Sequence, residues 1–154
     1  MKPTEHADRL LLANKKARHE YEILDKIEAG LVLLGTEIKS IRDNRVNMGD
    51  AYAVIEGDEA WLVSLHISPY PQAHQFNHDP LRKRKLLLHK NEIKRLRIKV
   101  QEKGLTLIPL DLHLKANKVK VELGVGRGKK LYDKRASAAE RDAAREMDRA
   151  RRSR

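Results

Sequence analysis

The side chains best placed to do chemistry in this chain are cations, and they crowd its last third. Between Arg127 and Arg154 stand Arg127, Lys129, Lys130, Lys134, Arg135, Arg141, Arg145, Arg149, Arg151, Arg152 and Arg154. Five acids oppose them: Asp133, Glu140, Asp142, Glu146 and Asp148. Ser137-Ala138-Ala139-Glu140 spells a capping box, in which Ser and Glu each satisfy an orphan amide of a first helical turn. Arg141, Arg145, Arg149 and Arg152 then recur on one helical face, beside a thin apolar stripe of Ala139, Ala143, Met147 and Ala150. Helical grammar with little to bury predicts a tail that orders on a polyanion. The plainer reading is a solvated, frayed terminus.

Four further groups call for weighing. Asn14, Lys15, Lys16, Arg18, His19 and Tyr21 offer amide, cationic and ring contacts to phosphate, ribose or loop bases. Arg82, Lys83, Arg84, Lys85 and Lys90 form a central basic cluster; read as a helix, they cannot all share one face, and Leu86, Leu87 and Leu88 belong to the core. Lys39 and Arg42 follow Glu37, whose carboxylate repels phosphate. In an RNA site it would accept from a base edge or a 2′-OH; otherwise it forms a salt bridge to a neighbour such as Lys39 or Arg42. His74, His78 and Asp79 would make a metal set if helical, the basis of a competing reading as a metal-dependent RNA nuclease. They lie among prolines without a third ligand at a persuasive spacing, so no metal and no other cofactor is expected. No nucleophile motif, Walker loop or paired-carboxylate pattern points to an enzyme.

The elements that must position these groups fit one domain plus an appendage, residues 1–128 and 129–154, in a chain of 154 residues. A net charge of +11 is more than solubility requires and points to a phosphate backbone. There is no Cys for a disulfide or thiolate zinc site, and no apolar run near the ~20 residues of a membrane span or the core of a signal peptide. The expected setting is cytoplasmic. One Trp, one Phe and four Tyr argue against a broad stacking platform for single strands.

Residues 2–16 read as a basic arm, and 21–27 as a strand ending before Gly30. Gly35-Thr36 opens a short helix with Ile38 and Ile41 inward. The runs 51–55 and 60–65 flank Glu56-Gly57-Asp58-Glu59 as a hairpin. Residues 68–79 form a loop. A helix is expected from about Pro80 to Glu102, broken near Lys90-Asn91, with Ile93, Leu96 and Val100 on one face; Gly104 ends it. The leucines of 105–114 switch parity at Pro109, which calls for a bulge. Val119, Val121, Leu123 and Val125 alternate in the return strand, and Gly124, Gly126 and Gly128 loosen the chain before the tail. The pattern predicts a mainly β protein: a six-stranded antiparallel, oligonucleotide-binding-type closed barrel with a few short helices.

In order along nearly the whole chain, several segments resemble the bacterial SsrA-binding (small protein B) family. They are Asn14 to Tyr21, Ala29 to Leu33, Gly35 to Arg42, His66 to Tyr70, Asn77 to Arg82, Arg84 to Lys90 and Gly128 to Arg135. The resemblance implies the same barrel and no catalysis. It implies binding to the tRNA-like domain of transfer-messenger RNA, as a monomer in complex with that RNA, and its delivery to stalled ribosomes for trans-translation. The tail, disordered when free, would enter the empty messenger channel near the small-subunit decoding region and turn helical there, with Lys129, Lys130, Tyr132, Asp133, Lys134 and Arg135 at its base. Tyr132 stands where the family often has His, a ring that can still stack on a base. A general ribosome-associated structural protein is the third reading.

Overall fold

The computed structural model describes residues 9–129, apart from the side chains of residues 74 and 75. Its elements are β1 (Arg9–Ala13), α1 (Lys15–Glu20), β2 (Tyr21–Leu31), α2 (Gly35–Arg42), β3 (Val46–Asn47), β4 (Tyr52–Glu56), β5 (Glu59–Val63), β6 (His66–Ile67), a 3-10 turn (Pro71–Phe76), β7 (Arg84–Leu87), α3 (Lys90–Lys103), β8 (Thr106–Lys115) and β9 (Lys118–Gly128). Six antiparallel strands pair in a closed ring, β8–β4–β5–β7–β2–β9 and back to β8, as expected. The supposed basic arm supplies an additional strand: β1 lies along β8, from Arg9 opposite Leu114 to Ala13 opposite Asp111. β3 and β6 make a separate two-stranded ladder.

The parity switch in β8 is the device that builds two cores. The ladder with β9 slips between Pro109 and Asp111. Leu107, Leu112 and Leu114 therefore face the ring interior with Leu62, Leu86, Val121 and Leu123, while Ile108 and Leu110 turn outward beneath Ala17 of α1. The same edge of β8 pairs with β4 at Leu107 and with β1 from Asp111 onward. Pro109, which has no amide hydrogen to offer, sits between the two.

Three expectations need correction. β2 does not end before Gly30 but runs through it to Leu31; a Cβ on Gly30 would lie 3.0 Å from Leu87 Cβ, so this glycine marks close packing, not a break. Gly124 and Gly126 do not loosen the chain: they lie within β9, where a Cβ would meet Leu110 at 3.0 Å and the Glu22 carbonyl oxygen at 2.6 Å. The expected helix from Pro80 holds only in its second half. Residues 84–87 are β7, and α3 starts at Lys90, buries Ile93 and Leu96, and ends at Gly104 with φ +62°.

Candidate nucleic-acid interface

The short helix α1 is set by Asn14, which is buried. Its Oδ1 accepts from Ala17 N at 3.1 Å, while Nδ2 donates to Pro109 O at 2.8 Å and Met48 O at 3.2 Å. These three bonds all run inward, so Asn14 orients the helix instead of touching a ligand. The helix then exposes Lys15, Lys16, Arg18 and His19, while Tyr21 packs half-buried on the outer core.

On α2 the inward face is Glu37, Ser40 and Ile41, with Ile38 only half-buried. Glu37 is 0% exposed, which overturns its assignment as an RNA acceptor. It takes Leu34 N at 2.7 Å, Arg82 Nη2 at 2.5 Å and Arg84 Nε at 2.5 Å. The salt-bridge alternative holds, with partners from β7 and the turn before it instead of Lys39 or Arg42. Burial pushes the carboxyl up; Arg82, the Leu34 amide and Arg84 outweigh it and hold Glu37 below its ordinary value.

Arg84 is likewise 0% exposed and cannot reach a ligand. It donates to Leu65 O at 2.5 Å, Pro80 O at 3.2 Å and Asp79 O at 3.4 Å besides Glu37. Burial lowers its pKa against the opposing pull of Glu37, and the guanidinium stays charged. This network ties α2, the end of β5 and the 79–80 turn to β7. Arg82, at its rim, is half-buried and also donates to Val32 O at 3.3 Å.

What β7 carries outward is Lys85, paired with Glu59, and Leu87, 54% exposed. The leucine triplet thus splits: Leu86 is core, Leu88 half-buried, and Leu87 leaves the core for the surface. Leu87, Gly30, Arg42, Lys118 and Lys120 line one concavity; Leu87, Gly30, Lys120, Glu28 and His89 line its neighbour. An apolar floor with cations at the rim and two carboxylate acceptors, Glu28 and Glu92, suits an RNA segment. Lys118 and Lys120 were legible as the outward positions of an alternating strand. Leu87 was hidden inside the triplet.

Of the three candidates for a metal set, the His74 side chain lies outside the described residues, and His78 and Asp79 have partners within the fold. His78 is buried, its Nε2 donating to Ile67 O and its Nδ1 facing Thr36 Oγ1, each at 2.8 Å. Asp79 caps its own turn at Leu81 N. No group of three metal-ligating side chains forms among the described residues, and none of their helices is long and apolar enough to cross a membrane. The tail candidates Lys130, Tyr132, Asp133, Lys134, Arg135, Arg141, Arg145, Arg149 and Arg152 lie outside the described residues; Lys129 is exposed.

Ion pairing divides the surface. Lysines beside β4, β5 and β8 are matched by acids: Lys83 by Glu56, Lys85 by Glu59, Lys115 by Glu28. On α1, Lys16 meets Asp50. Lys15, Arg18, Lys39, Arg42, Lys90, Lys118 and Lys120 form no ion pair among the described residues.

Comparison with known proteins agrees with this architecture. The family model described as SmpB protein matches residues 11–153. The SsrA-binding protein of Carboxydothermus hydrogenoformans is 56% identical over 147 residues, 96% of this chain and 99% of that one. That of Desulfitobacterium hafniense is 62% identical, covering 88% of this chain and 87% of its own. A chain of the solved structure "tmRNA-SmpB: a journey to the center of the bacterial ribosome" is 48% identical, with a TM-score of 0.67 over 79% of this chain and 85% of that chain. Agreement in sequence along nearly the full length, and in fold over most of it, places this chain in the SmpB protein family.

Proposed function

We propose that this chain is an RNA-binding adaptor that binds the tRNA-like domain of transfer-messenger RNA and brings it to stalled ribosomes for trans-translation. The observation that carries the reading is the groove floored by Leu87, whose lining cations Arg42, Lys118 and Lys120 form no ion pair among the described residues, together with the exposed and equally unpaired Lys15 and Arg18 of α1. These sites retain their charge for phosphate, whereas the lysines of the β4–β5 face spend theirs on neighbouring acids. Proteins similar to this one over nearly their whole length are SsrA-binding proteins, and the similar solved chain belongs to a tmRNA-SmpB structure of the bacterial ribosome.

In this reading, residues 1–128 are the RNA-binding domain. Lys15, Arg18, His19, Tyr21, Lys39, Arg42 and Lys90 contact RNA, joined by Leu87, Lys118 and Lys120, while Lys16 and Lys85 are tied to Asp50 and Glu59. Asn14, Glu37, Arg82 and Arg84 hold the elements that present them. Residues 129–154 form the tail that probes the empty messenger channel, and the setting is the cytoplasm.

The test is a competition: labelled tRNA-like domain bound to the purified chain, challenged with bulk ribosomal RNA at matched salt. Retention against a hundredfold mass excess is expected. Equal displacement by both RNAs would reduce the protein to a general ribosome-associated binder.

A further inference from the structure

The segment between β6 and β7 is largely outside the sheets, yet its two ends are fastened to α2 and the turn after it. Ser40 Oγ donates to Ser68 O at 2.7 Å, Ser68 N donates to Arg45 O at 2.9 Å, and His78 joins Thr36 to Ile67. Across its mouth Asn77 grips Tyr70 twice: Tyr70 N donates to Asn77 Oδ1 and Asn77 Nδ2 donates to Tyr70 O, both at 2.7 Å. An irregular loop held this way is preorganised for contact. It presents two rings. Tyr70 is half-buried with Lys39 Nζ 5.5 Å from its centroid, and Phe76 is 78% exposed.

The cations of α2 and the turn after it are Lys39, at the ring itself, and Arg42 and Arg45 further along the chain. None has an ion-pair partner among the described residues, and Asp43 is the one exposed carboxylate between Gly35 and Arg45. A second ring-and-lysine pair offers an internal contrast. Lys83 Nζ lies 4.7 Å from the Trp61 centroid, but it is bound to Glu56 at 2.5 Å and has Lys85–Glu59 beside it. A phosphate approaching Trp61 meets two carboxylates, whereas one approaching Tyr70 meets Lys39, which has no ion-pair partner among the described residues.

From this contrast we infer that Tyr70 is a stacking seat for an unpaired nucleobase in a single-stranded RNA loop. Lys39, Arg42 and Arg45 take the flanking phosphates, and Phe76 covers the adjoining base. Duplex RNA cannot use the seat, because its bases are already stacked; a loop base can, because every base has a π-face. The inference rests on the RNA-binding reading and adds the class of element that this part of the surface selects.

The test uses the full chain and two RNAs of equal length: a tRNA-like domain carrying 2-aminopurine at loop positions, and a blunt duplex. Tyr70→Ala should weaken binding of the looped RNA about tenfold and abolish 2-aminopurine quenching at one position. Duplex affinity and the salt slope should not change. Tyr70→Phe, which keeps the ring, should behave as the parent, and so should Trp61→Ala. Arg45→Ala should lower the salt slope by about one. Equal losses on both RNAs, or unaltered quenching in Tyr70→Ala, would overturn the seat. If the parent ignores the tRNA-like domain yet binds other looped RNA through Tyr70, the functional reading fails and the seat stands. If it binds no RNA, both fall.

Discussion

Replacing Glu37 by Gln separates a role in the fold from a role in RNA contact. The change keeps size and removes charge. Gln can still accept through one oxygen, but its amide nitrogen sets a donor against the guanidinium groups of Arg82 and Arg84. Arg82 is half-exposed and can turn to water. Arg84 is wholly buried and cannot shed its proton. Removing one partner of a buried pair costs about 3–5 kcal/mol. Because Arg84 keeps its carbonyl acceptors at Leu65, Asp79 and Pro80, the lower end applies, about 3 kcal/mol. At about 3–4 °C per kcal/mol for a domain of this size, the melting temperature should fall by about 10 °C. Affinity for the tRNA-like domain, measured well below that temperature, should change less than about threefold, since no atom of Glu37 is accessible. The acid dependence has a definite sign. Glu37 is held below its ordinary value in the folded state, so the unfolded chain takes up the proton first. The parent loses this share of stability as pH falls through the carboxylate range to the folded value. The melting gap between parent and variant should therefore be full above about pH 5 and narrow below it. Removing both charges, in Glu37→Gln with Arg84→Met, should recover at least half of the loss. Thermal melts across pH and a binding titration settle the matter. An unchanged melt with a tenfold loss of specific affinity would refute this reasoning and restore Glu37 as an RNA acceptor.

Asn14→Ala should cost about 2–3 kcal/mol in chemical denaturation, from the lost cap on Ala17 and two deprived carbonyls, with the salt slope of RNA binding unaltered. Gly126→Ala should destabilise by about 2 kcal/mol, because its Cβ would lie 2.6 Å from the Glu22 carbonyl oxygen. Gly35→Ala, with nothing within 4 Å of its Cβ, should be neutral or stabilising by about 0.5 kcal/mol in the same melts. Truncation after Gly128 should cost less than about 2 kcal/mol in binding to the tRNA-like domain; a larger loss in a filter-binding titration would move the main site into the tail. Ala143→Pro, costing about 3 kcal/mol in a helix interior without changing charge, should spare that binding but impair peptide tagging on stalled ribosomes; tagging at the parent rate would leave only electrostatic tethering.

Elements whose inward positions are apolar could be read directly from the chain: the β4–β5 hairpin, α3, the alternation in β9 and the slip near Pro109. Those with a charge inside were misread. β7 alternates Arg84 in, Lys85 out, Leu86 in, Leu87 out; with an arginine at one inward position and a leucine at one outward position, its period-2 signal vanishes. The same inversion hides Glu37 on the inner face of α2. The two errors have one cause, because the two charges neutralise each other between α2 and β7, which no single segment reveals. The glycines of β2 and β9 misled for another reason. Locally a glycine reads as a weak point, and only the neighbouring strand shows that a side chain would collide there. The cationic groups were visible by type, but their pairing depends on acids distant in the chain.

Ring closure also sets a timetable. β2 hydrogen-bonds β9 along most of its length, from Tyr21 opposite Gly128 to Gly30 opposite Lys120. On a ribosome making 5–20 residues per second, β9 emerges on the order of ten seconds after β2. During that interval β2 has an unfilled edge, the arrangement that invites pairing with another chain. Glu22, Asp25, Lys26 and Glu28 stand along that strand, all exposed even in the folded protein apart from the half-buried neighbours between them. Their charges act as gatekeepers for a nascent strand whose partner has not yet been made. The high sequence separation of this pairing also predicts slow folding, in milliseconds to seconds, with docking of β9 as the late event.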